Sequence, residues 1–343
     1  MGGIDLDRLT EWMDGQGLGS GAIGGAVRLA GGTQNILLRF TRAGRDYVLR
    51  RPPEHLRAGS NETMRREARL LGALAGSDVP HPRLIAACED EAVLGAVFYL
   101  MEPIEGFNPM NGLPESHHDA AAQHRLGLSV VEGLAALHAL DPVARGLGDF
   151  GKLDGFLERQ VARWGRQLDS YGELAGWPGP GALGDVGAVA RWLEANRPAS
   201  FVPGILHGDF HLANVMIRND APELAAIVDW ELATIGDPLI DLGWLLASWP
   251  QAADGGLLTI EPWNGFPSAE ELVAHYAARS ARQVRPVDWY GVFGCYKLGI
   301  ILEGTHARAC AGKASADMGE RLHGRARWLF ERARRWIAGG VLG

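Results

Sequence analysis

One stretch of the chain, residues 205–246, reads ILHGDFHLANVMIRNDAPELAAIVDWELATIGDPLIDLGWLL. It places Asn214 five positions after Asp209, and it places Asp229 directly after the apolar run 224–228. A phosphoryl-transfer reaction needs one carboxylate that orients the attacking hydroxyl and accepts its proton. It also needs hard oxygen ligands that hold Mg²⁺ against the nucleotide phosphates. Asp209 has the chemistry for the first role, and Asn214 and Asp229 have the chemistry for the second.

Two short predicted strands place these three residues. A loop that carries Asp209 and Asn214 leads into a strand at 215–217, and a second strand at 225–228 carries Asp229 to the same rim. Asp and Asn are also common wherever a chain reverses direction, so an ordinary turn explains any one of them alone better than it explains all three. We therefore expect the three side chains to converge on one metal–nucleotide complex.

The histidines of this stretch suggest a second kind of site. The run Gly-Asp-Phe-His at 208–211 also fits the first block of two-metal phosphoesterases, in which aspartate and histidine bind a metal. Such enzymes need further Asn-His and His-x-His blocks downstream, whereas His275, His306 and His323 are isolated in the sequence. We therefore interpret His207 and His211 as packing or loop-ordering residues and not as metal ligands.

The motif order resembles a known family. His-Gly-Asp at 207–209 with Asn214, followed by Val-Asp-Trp-Glu at 228–231 and Gly-Asp-Pro at 236–238 with Asp241, is similar to the phosphotransferase family that includes aminoglycoside phosphotransferases and choline kinases. The resemblance implies an α+β, protein-kinase-like fold with two lobes. It predicts a small lobe with an antiparallel sheet and a larger, mainly helical lobe.

The same resemblance implies domain boundaries and residue roles. Residues 1–103 are predicted to form the nucleotide-binding lobe, and residues 104–343 the catalytic and acceptor-binding lobe. Asp209 is then the catalytic base. Asn214 and Asp229 bind Mg²⁺, and ATP is the expected phosphoryl donor.

Two further aspartates and one histidine receive supporting roles. We expect Asp237 and Asp241 to brace the catalytic loop through hydrogen bonds to its backbone. His138 is expected to be a structural hydrogen-bonding residue, because a base is already assigned.

A glycine-bearing turn joins the first two predicted strands, at 26–29 and 35–40. Its residues are Gly31, Gly32, Thr33, Gln34 and Asn35. A turn of this kind can lay backbone N–H groups against phosphates, because glycine has no Cβ that would prevent close approach. In the resembled family this turn covers the nucleotide, so Gly31, Gly32, Thr33 and Asn35 are candidate nucleotide-binding residues.

The next predicted strand, 47–51, ends at two prolines that cannot continue a sheet ladder. Protein kinases place a lysine here that holds the nucleotide phosphates, whereas this chain has Arg50. Arginine keeps the charge and adds a planar fork, but it is longer and less compact than lysine. Strand alternation directs Arg51 to the opposite face, where we expect it to be solvated.

A helix predicted at 61–75 supplies the partner of Arg50. Its apolar stripe contains Met64, Ala68 and Leu71, and Glu67 lies beside that stripe. We expect Glu67 to form the ion pair that positions Arg50, with Glu62 as the alternative.

The run Phe-Tyr-Leu-Met-Glu-Pro-Ile at 98–104 resembles the hinge of the family. Met101 is expected to guard the back of the nucleotide pocket. The Glu102 carbonyl and the Ile104 N–H are expected to bond an adenine edge. Pro103 lacks an N–H, but it falls where none is needed.

The distribution of basic residues indicates the charge of the acceptor molecule. A helix predicted to begin at 156–164 has three arginines on one face: Arg159, Arg163 and Arg166. This region resembles kinase-like domains fused to acyl-CoA dehydrogenases. From residue 285 to the end there are ten Lys or Arg against five Asp or Glu. A basic wall suits an anionic acceptor such as a hydroxyacyl-CoA better than a polycationic aminoglycoside. The alternative is that 321–335 is simply a solvated helix with Trp328, Leu329 and Trp336 turned inward.

Composition sets the outer limits. Of 343 residues, 47% are hydrophobic and 22% are charged, which is typical of a globular protein. A net charge of −8 argues against general nucleic-acid binding. The three cysteines, odd in number and widely spaced, predict neither a disulfide framework nor a cysteine metal site. We expect a cytoplasmic protein with no membrane segment, no obligate protein partner and a small-molecule hydroxyl acceptor.

The leading hypothesis is therefore an ATP- and Mg²⁺-dependent phosphotransferase that modifies a small-molecule hydroxyl. Two alternatives stay open. Arg50 leaves room for a non-catalytic, nucleotide-binding relative, and the resemblance also leaves room for a true aminoglycoside O-phosphotransferase.

Overall fold

The computed structural model describes residues 4–29, 35–250 and 260–342. The chain divides into two compact units. The first comprises the described residues up to Phe107 together with Ala225–Leu232, and the second comprises Asn108–Leu224 and the described residues from Ala233 onward. The segment that carries Asp229 thus belongs to the first unit, although it lies far along the chain.

The strands and helices of the described residues have the following bounds. The described strands are β1 (Gly24–Arg28), β2 (Ile36–Arg42), β3 (Arg45–Arg51), β4 (Leu84–Cys88), β5 (Phe98–Met101), β6 (Gly204–Leu206), β7 (Val215–Ile217), β8 (Leu224–Ile227) and β9 (Thr234–Gly236). The described α-helices are α1 (Leu6–Gly15), α2 (Ser60–Leu74), α3 (Glu91–Leu94), α4 (Ala120–Ala139), α5 (Glu158–Ser170), α6 (Val186–Ala195), α7 (Leu239–Ser248), α8 (Ala269–Ala277), α9 (Val287–Cys310) and α10 (Ala316–Gly339). None of these helices is both long enough and apolar enough to cross a lipid bilayer.

The first unit is built on an antiparallel five-stranded sheet in the order β1-β2-β3-β5-β4. The register of β3 with β5 places Arg50 opposite Tyr99 and Val48 opposite Met101. The run 93–101 predicts one strand, but β5 starts only at Phe98. The physical reason is local, because Asp90 accepts a hydrogen bond from the Ala92 N–H and starts the helical turn α3 in its place.

Both α2 and β3 contribute buried residues to this unit. The predicted stripe of α2 is confirmed, since Met64, Ala68 and Leu71 are all buried. The prediction that Arg51 is solvated is wrong, because only 4% of this residue is exposed. β3 is an interior strand between β2 and β5, and its last five residues are buried on both faces. Burial lowers the pKa of Arg51.

The second unit is mainly helical, and α7 lies at its centre. Every residue of α7 is buried. A Cβ added to Gly243 would lie 2.2 Å from the Tyr290 carbonyl oxygen, and one added to Gly294 would lie 2.5 Å from the Gly243 carbonyl oxygen. Only glycine permits backbones to approach this closely. The contact therefore fixes α9 directly against α7.

One arginine of the basic C-terminal helix α10 has a structural role. Arg332 is completely buried and donates hydrogen bonds to the Ala247 and Trp249 carbonyl oxygens at 2.9 and 2.8 Å. A guanidinium at the end of α7 satisfies carbonyl groups that have no partner inside the helix. Leu329 and Trp336 are buried, as the solvated-helix interpretation predicts, whereas Trp328 is only half-buried.

Candidate active site

The loop 207–214 follows β6, and Asp241 accepts hydrogen bonds from its backbone. The Asp241 carboxylate accepts hydrogen bonds from the backbone N–H groups of His207 and Gly208 at 2.6 and 2.9 Å. His138 lies 3.5 Å from the same carboxylate, and its other ring nitrogen lies 2.8 Å from the Tyr276 hydroxyl. The bracing role predicted for Asp241 and the structural role predicted for His138 are confirmed.

The corresponding prediction for Asp237 is wrong. Its carboxylate accepts hydrogen bonds from the Leu239 N–H at 3.2 Å and from the Tyr290 hydroxyl. Asp237 therefore joins the start of α7 to α9 and has no hydrogen bond to the loop 207–214 within the described chain. Burial raises the pKa of Asp237 to about 6, against the hydrogen bonds that favour its ionised form. Sequence spacing alone does not distinguish these two partners.

Asp209 lies in a dense hydrogen-bond network within the loop. The Asn214 amide nitrogen donates to the Asp209 carboxylate and to its backbone carbonyl, each at 2.9 Å. His211 Nε2 lies 3.2 Å from the other carboxylate oxygen, and His211 Nδ1 accepts from the Ala213 N–H at 3.1 Å. His211 therefore orders the loop, as predicted, and also contacts Asp209.

This network sets the charge of Asp209. Burial acts to raise the pKa of the Asp209 carboxyl. The hydrogen bond and charge of His211, together with the charges of His207 and Lys297, outweigh burial and hold that pKa well below its usual range. With 30% of its side chain exposed, Asp209 is an ionised acceptor that a hydroxyl group can reach.

Lys297 on α9 is a contact of this loop that the sequence analysis missed. Its Nζ donates to the Gly208 carbonyl oxygen at 2.8 Å and lies 4.2 Å from the ring centre of Trp244. Burial lowers the pKa of Lys297 to about 8, although the charges of Asp209 and Asp241 act against this. The available signal was one lysine in the long apolar run of α9, because a buried cation needs specific partners.

The first unit contains the predicted ion pair. Arg50 Nε lies 2.8 Å from Glu67 Oε2, and Arg50 Nη2 lies 3.2 Å from Glu67 Oε1. Glu67, and not the alternative Glu62, is therefore the partner. Tyr99 was not anticipated, and its hydroxyl donates to Glu67 Oε2 at 2.8 Å. Burial acts to lower the pKa of Arg50, but the charges of Glu67, Tyr99 and Asp229 raise it overall.

Asp229 is a second carboxylate that contacts Arg50. Its Oδ1 lies 2.8 Å from Arg50 Nη2, and 42% of its side chain is exposed. Asp229 has a φ of +65°, a left-handed conformation that is uncommon for a non-glycine residue. Such conformations cost roughly 1–3 kcal/mol and persist where the surroundings impose them, often at functional sites.

The hinge segment presents backbone groups at one edge. The Glu102 N–H donates to the Arg83 carbonyl oxygen at 2.9 Å, and the Glu102 carboxylate pairs with Arg45 and Arg83. In the described part of the chain, neither the Glu102 carbonyl nor the Ile104 N–H has a hydrogen-bond partner. Met101 is half-buried at the end of β5.

The glycine-bearing turn can be followed at one residue only. Asn35 lies directly before β2, and its Nδ2 is 3.5 Å from Glu231 Oε2. Gly31, Gly32 and Thr33 lie outside the described residues.

The predicted site residues thus form two groups. Asp209 and Asn214 meet in the second unit, and Arg50, Glu67 and Asp229 meet in the first. The convergence of both groups on one metal–nucleotide complex stays a prediction.

Comparison with known proteins gives concordant matches. A sequence model of the "Phosphotransferase enzyme family" matches residues 25–278. Mouse acyl-CoA dehydrogenase family member 10 is 30% identical over 297 residues, which cover 83% of this chain and 26% of that protein. The chicken acyl-CoA dehydrogenase family member 11 is 29% identical, with 83% of this chain and 37% of that protein covered. The chain therefore spans only about a quarter to two-fifths of the length of these relatives.

Solved structures give the same fold. The crystal structure of a proposed aminoglycoside phosphotransferase from Ralstonia eutropha has a TM-score of 0.79 at 29% identity, with 97% of this chain and 99% of that chain covered. The GDP complex of aminoglycoside 2'-phosphotransferase-IIIa has a TM-score of 0.65 at 17% identity, with 96% and 99% covered. The α+β, protein-kinase-like fold predicted from the sequence is confirmed.

Proposed function

Because the chain belongs to the phosphotransferase enzyme family, we propose that it transfers the γ-phosphoryl group of ATP to a hydroxyl group of a small molecule. The observation that carries this proposal is the ionised Asp209, fixed by Asn214 and His211 and partly exposed. A carboxylate in this state can receive a hydroxyl group and hold its oxygen in line with a phosphorus atom.

The chemical step assigned to Asp209 is a proton transfer. The acceptor oxygen bonds to the γ-phosphorus, the bond from that phosphorus to the bridging oxygen of ADP breaks, and the hydroxyl proton passes to the Asp209 carboxylate. Since the pKa of Asp209 lies below its usual range, the carboxylate is a weak base for a free alcohol. The proton therefore moves as the oxygen bonds to phosphorus and its acidity rises, and orientation comes first.

The nucleotide is assigned to the first unit. Arg50, fixed on two sides by Glu67 and held by Asp229, presents a guanidinium that suits phosphate oxygens. The Glu102 carbonyl and Ile104 N–H supply the acceptor and donor pair that an adenine edge requires.

The donor set also suits Mg²⁺. The Asn214 amide nitrogen donates to Asp209, which leaves the amide oxygen as a ligand. Asp229 uses Oδ1 for Arg50, and its exposed side chain offers a second carboxylate oxygen. Both are hard oxygen donors of the kind that Mg²⁺ prefers. When bound, the cation would neutralise charge on the phosphates.

For the acceptor, we favour an anionic molecule of the hydroxyacyl-CoA type. Lys297 Nζ lies 5.5 Å from the Trp164 ring centre, and the guanidinium of Arg163 lies 5.3 Å from the same ring. Basic groups thus extend from the loop of Asp209 to the exposed face of α5. The relatives from mouse and chicken are named as acyl-CoA dehydrogenase family members, and this supports the same acceptor class.

Two alternatives have specific support. The named aminoglycoside phosphotransferases among the similar structures favour an aminoglycoside acceptor. The arginine at position 50 favours a non-catalytic nucleotide-binding protein.

One experiment separates the three. Purified protein is incubated with Mg²⁺ and ATP or GTP and with hydroxyacyl-CoAs, amino alcohols or aminoglycosides, and nucleotide consumption is measured against the Asp209→Asn variant. We expect turnover of ATP with hydroxyacyl-CoAs that the variant lacks. Turnover with aminoglycosides alone would replace the acceptor. Nucleotide binding without turnover on any class would favour the non-catalytic protein.

A further inference from the structure

Two copies of one short pattern lie on neighbouring helices. Glu303 and His306 are three residues apart on α9, and Glu320 and His323 are three residues apart on α10. Residue 313, in the connection between the helices, is the midpoint of 303 and 323 and also of 306 and 320. In an αα-hairpin this symmetry places each glutamate opposite the histidine of the other helix.

The structure realises both crossed pairs. His323 Nδ1 lies 2.8 Å from Glu303 Oε2, and His306 Nδ1 lies 3.9 Å from Glu320 Oε1. The two imidazole rings stack with centroids 4.3 Å apart. The histidines that look isolated in the sequence therefore belong to one cluster, because α9 and α10 pack against each other.

Three of these residues offer ligand atoms to a common point. One ligand atom from each of Glu303, His306 and His323 lies within 4.8 Å of the other two. Ligands at about 2.1 Å from a tetrahedral ion lie about 3.4 Å apart, so a contraction of at most about 1.4 Å would complete the geometry. Small side-chain rotations suffice for that change.

The state of His306 points to a ligand. Its ring is buried, and its Nδ1 has no hydrogen-bond partner within the described chain. Its Nε2 lies 3.6 Å from Cys310 Sγ. A ring whose Nε2–H donates to that sulfur presents the Nδ1 lone pair to the cluster, and metal-bound histidines are commonly oriented by such a second hydrogen bond.

Glu303 is also buried and oriented by a hydrogen bond. It is completely buried, and its Oε1 accepts a hydrogen bond from Trp177 Nε1 at 2.7 Å. Because one donor fixes the first oxygen of this buried carboxylate, the second oxygen is held in place as a candidate metal ligand. A cation between Glu303 Oε2 and His323 Nδ1 would replace the hydrogen bond between them, and the neutral imidazole of His323 would then carry its one proton on Nε2.

We propose that Glu303, His306 and His323 bind one divalent transition-metal ion of the Zn²⁺ class, separate from the Mg²⁺ of the proposed reaction. Two imidazoles and one carboxylate suit Zn²⁺ and disfavour Mg²⁺, which prefers oxygen ligands. The exposed carboxylate of Glu320, 75% accessible, can rotate to the fourth position. The ion would join α9 to α10.

The first test is metal binding by the full-length chain without a histidine tag. Equilibrium dialysis against Zn²⁺, with elemental analysis, should give one ion per chain, and Co²⁺ should give the visible absorption of a four-coordinate site. His306→Gln with His323→Gln should weaken binding by at least about tenfold. The matched control His55→Gln, at an exposed position outside the cluster, should bind as the unaltered chain does.

The proposal is overturned if the unaltered chain retains no Zn²⁺, or if the double variant retains as much. A second measurement covers a variant that fails to fold. Zn²⁺ should protect His306 and His323 of the unaltered chain from diethyl pyrocarbonate, as read by peptide mass, while His55 stays reactive. Equal modification with and without Zn²⁺ would also overturn the proposal.

Discussion

Lys297 Nζ donates a 2.8 Å hydrogen bond to the carbonyl oxygen of Gly208, the residue that precedes Asp209. The bond joins the middle of α9 to the loop that the proposed chemistry depends on. Gly208 has a φ of +86°, and its N–H is held by Asp241. The peptide groups before Asp209 are therefore fixed from two sides, by a cation and by a carboxylate.

We predict that Lys297→Met lowers kcat/KM by about 100-fold, the effect of a misplacement of about 1 Å in a reacting group. The variant also removes a positive charge that lowers the pKa of Asp209. The acid limb of the pH profile of kcat/KM should therefore move to higher pH. Steady-state kinetics across pH measure both effects.

The matched control is Lys152→Met, since Lys152 is exposed. Its kinetics should equal those of the unaltered chain. A Lys297→Met variant with lower kcat/KM but an unmoved pH profile would contradict the electrostatic part of the argument.

We predict that Asp209→Asn abolishes turnover and keeps Mg²⁺-ATP binding within about threefold, because the proposed nucleotide contacts belong to other residues. The amide cannot accept the hydroxyl proton. Calorimetry measures the binding, and a coupled assay for ADP measures the turnover. Turnover equal to that of the unaltered chain would remove Asp209 from the mechanism.

Local sequence patterns were enough to place several elements. The apolar stripe predicts α2 at 61–75, and the structure has it at Ser60–Leu74. Asp241 was assigned correctly, since its role follows from a spacing typical of the family. In contrast, α7 was not predicted, because a helix that is buried all round shows no apolar stripe.

Contacts between distant residues account for the rest. The sequence does not show that Tyr99 faces Glu67, because the register of β3 and β5 decides which residue meets Arg50. Nor does it show that Lys297 reaches Gly208, 89 residues away. Both contacts come from tertiary packing, which periodicity does not encode.

We predict that Tyr99→Phe raises the KM for ATP about fivefold and destabilises the chain by about 1 kcal/mol. The reason is loss of one hydrogen bond that holds Glu67 against Arg50. Steady-state kinetics and urea unfolding give the two values.

Tyr47→Phe is the matched control, because Tyr47 is another buried tyrosine of the same sheet. It should leave the KM for ATP unchanged. Equal KM values for both variants would show that Tyr99 does not position Arg50.

The last prediction concerns Asp237, whose pKa burial raises to about 6. A raised carboxyl pKa means that the folded state favours the neutral acid. The resulting stabilisation is fully present below the unfolded pKa of about 3.9, and it is lost as pH rises through about 6. The total loss is about 3 kcal/mol, roughly half of it above pH 5.

Asp237→Asn removes this titration, so its free energy of unfolding relative to the unaltered chain should rise between pH 5 and pH 8 by about 1.5 kcal/mol. Urea unfolding at several pH values measures the difference. Asp154→Asn, at an exposed position, is the control and should show no such trend. Parallel stability curves for the Asp237→Asn variant and the unaltered chain would mean that Asp237 ionises normally in the fold, and its bond to Tyr290 would then be one between a carboxylate and a hydroxyl.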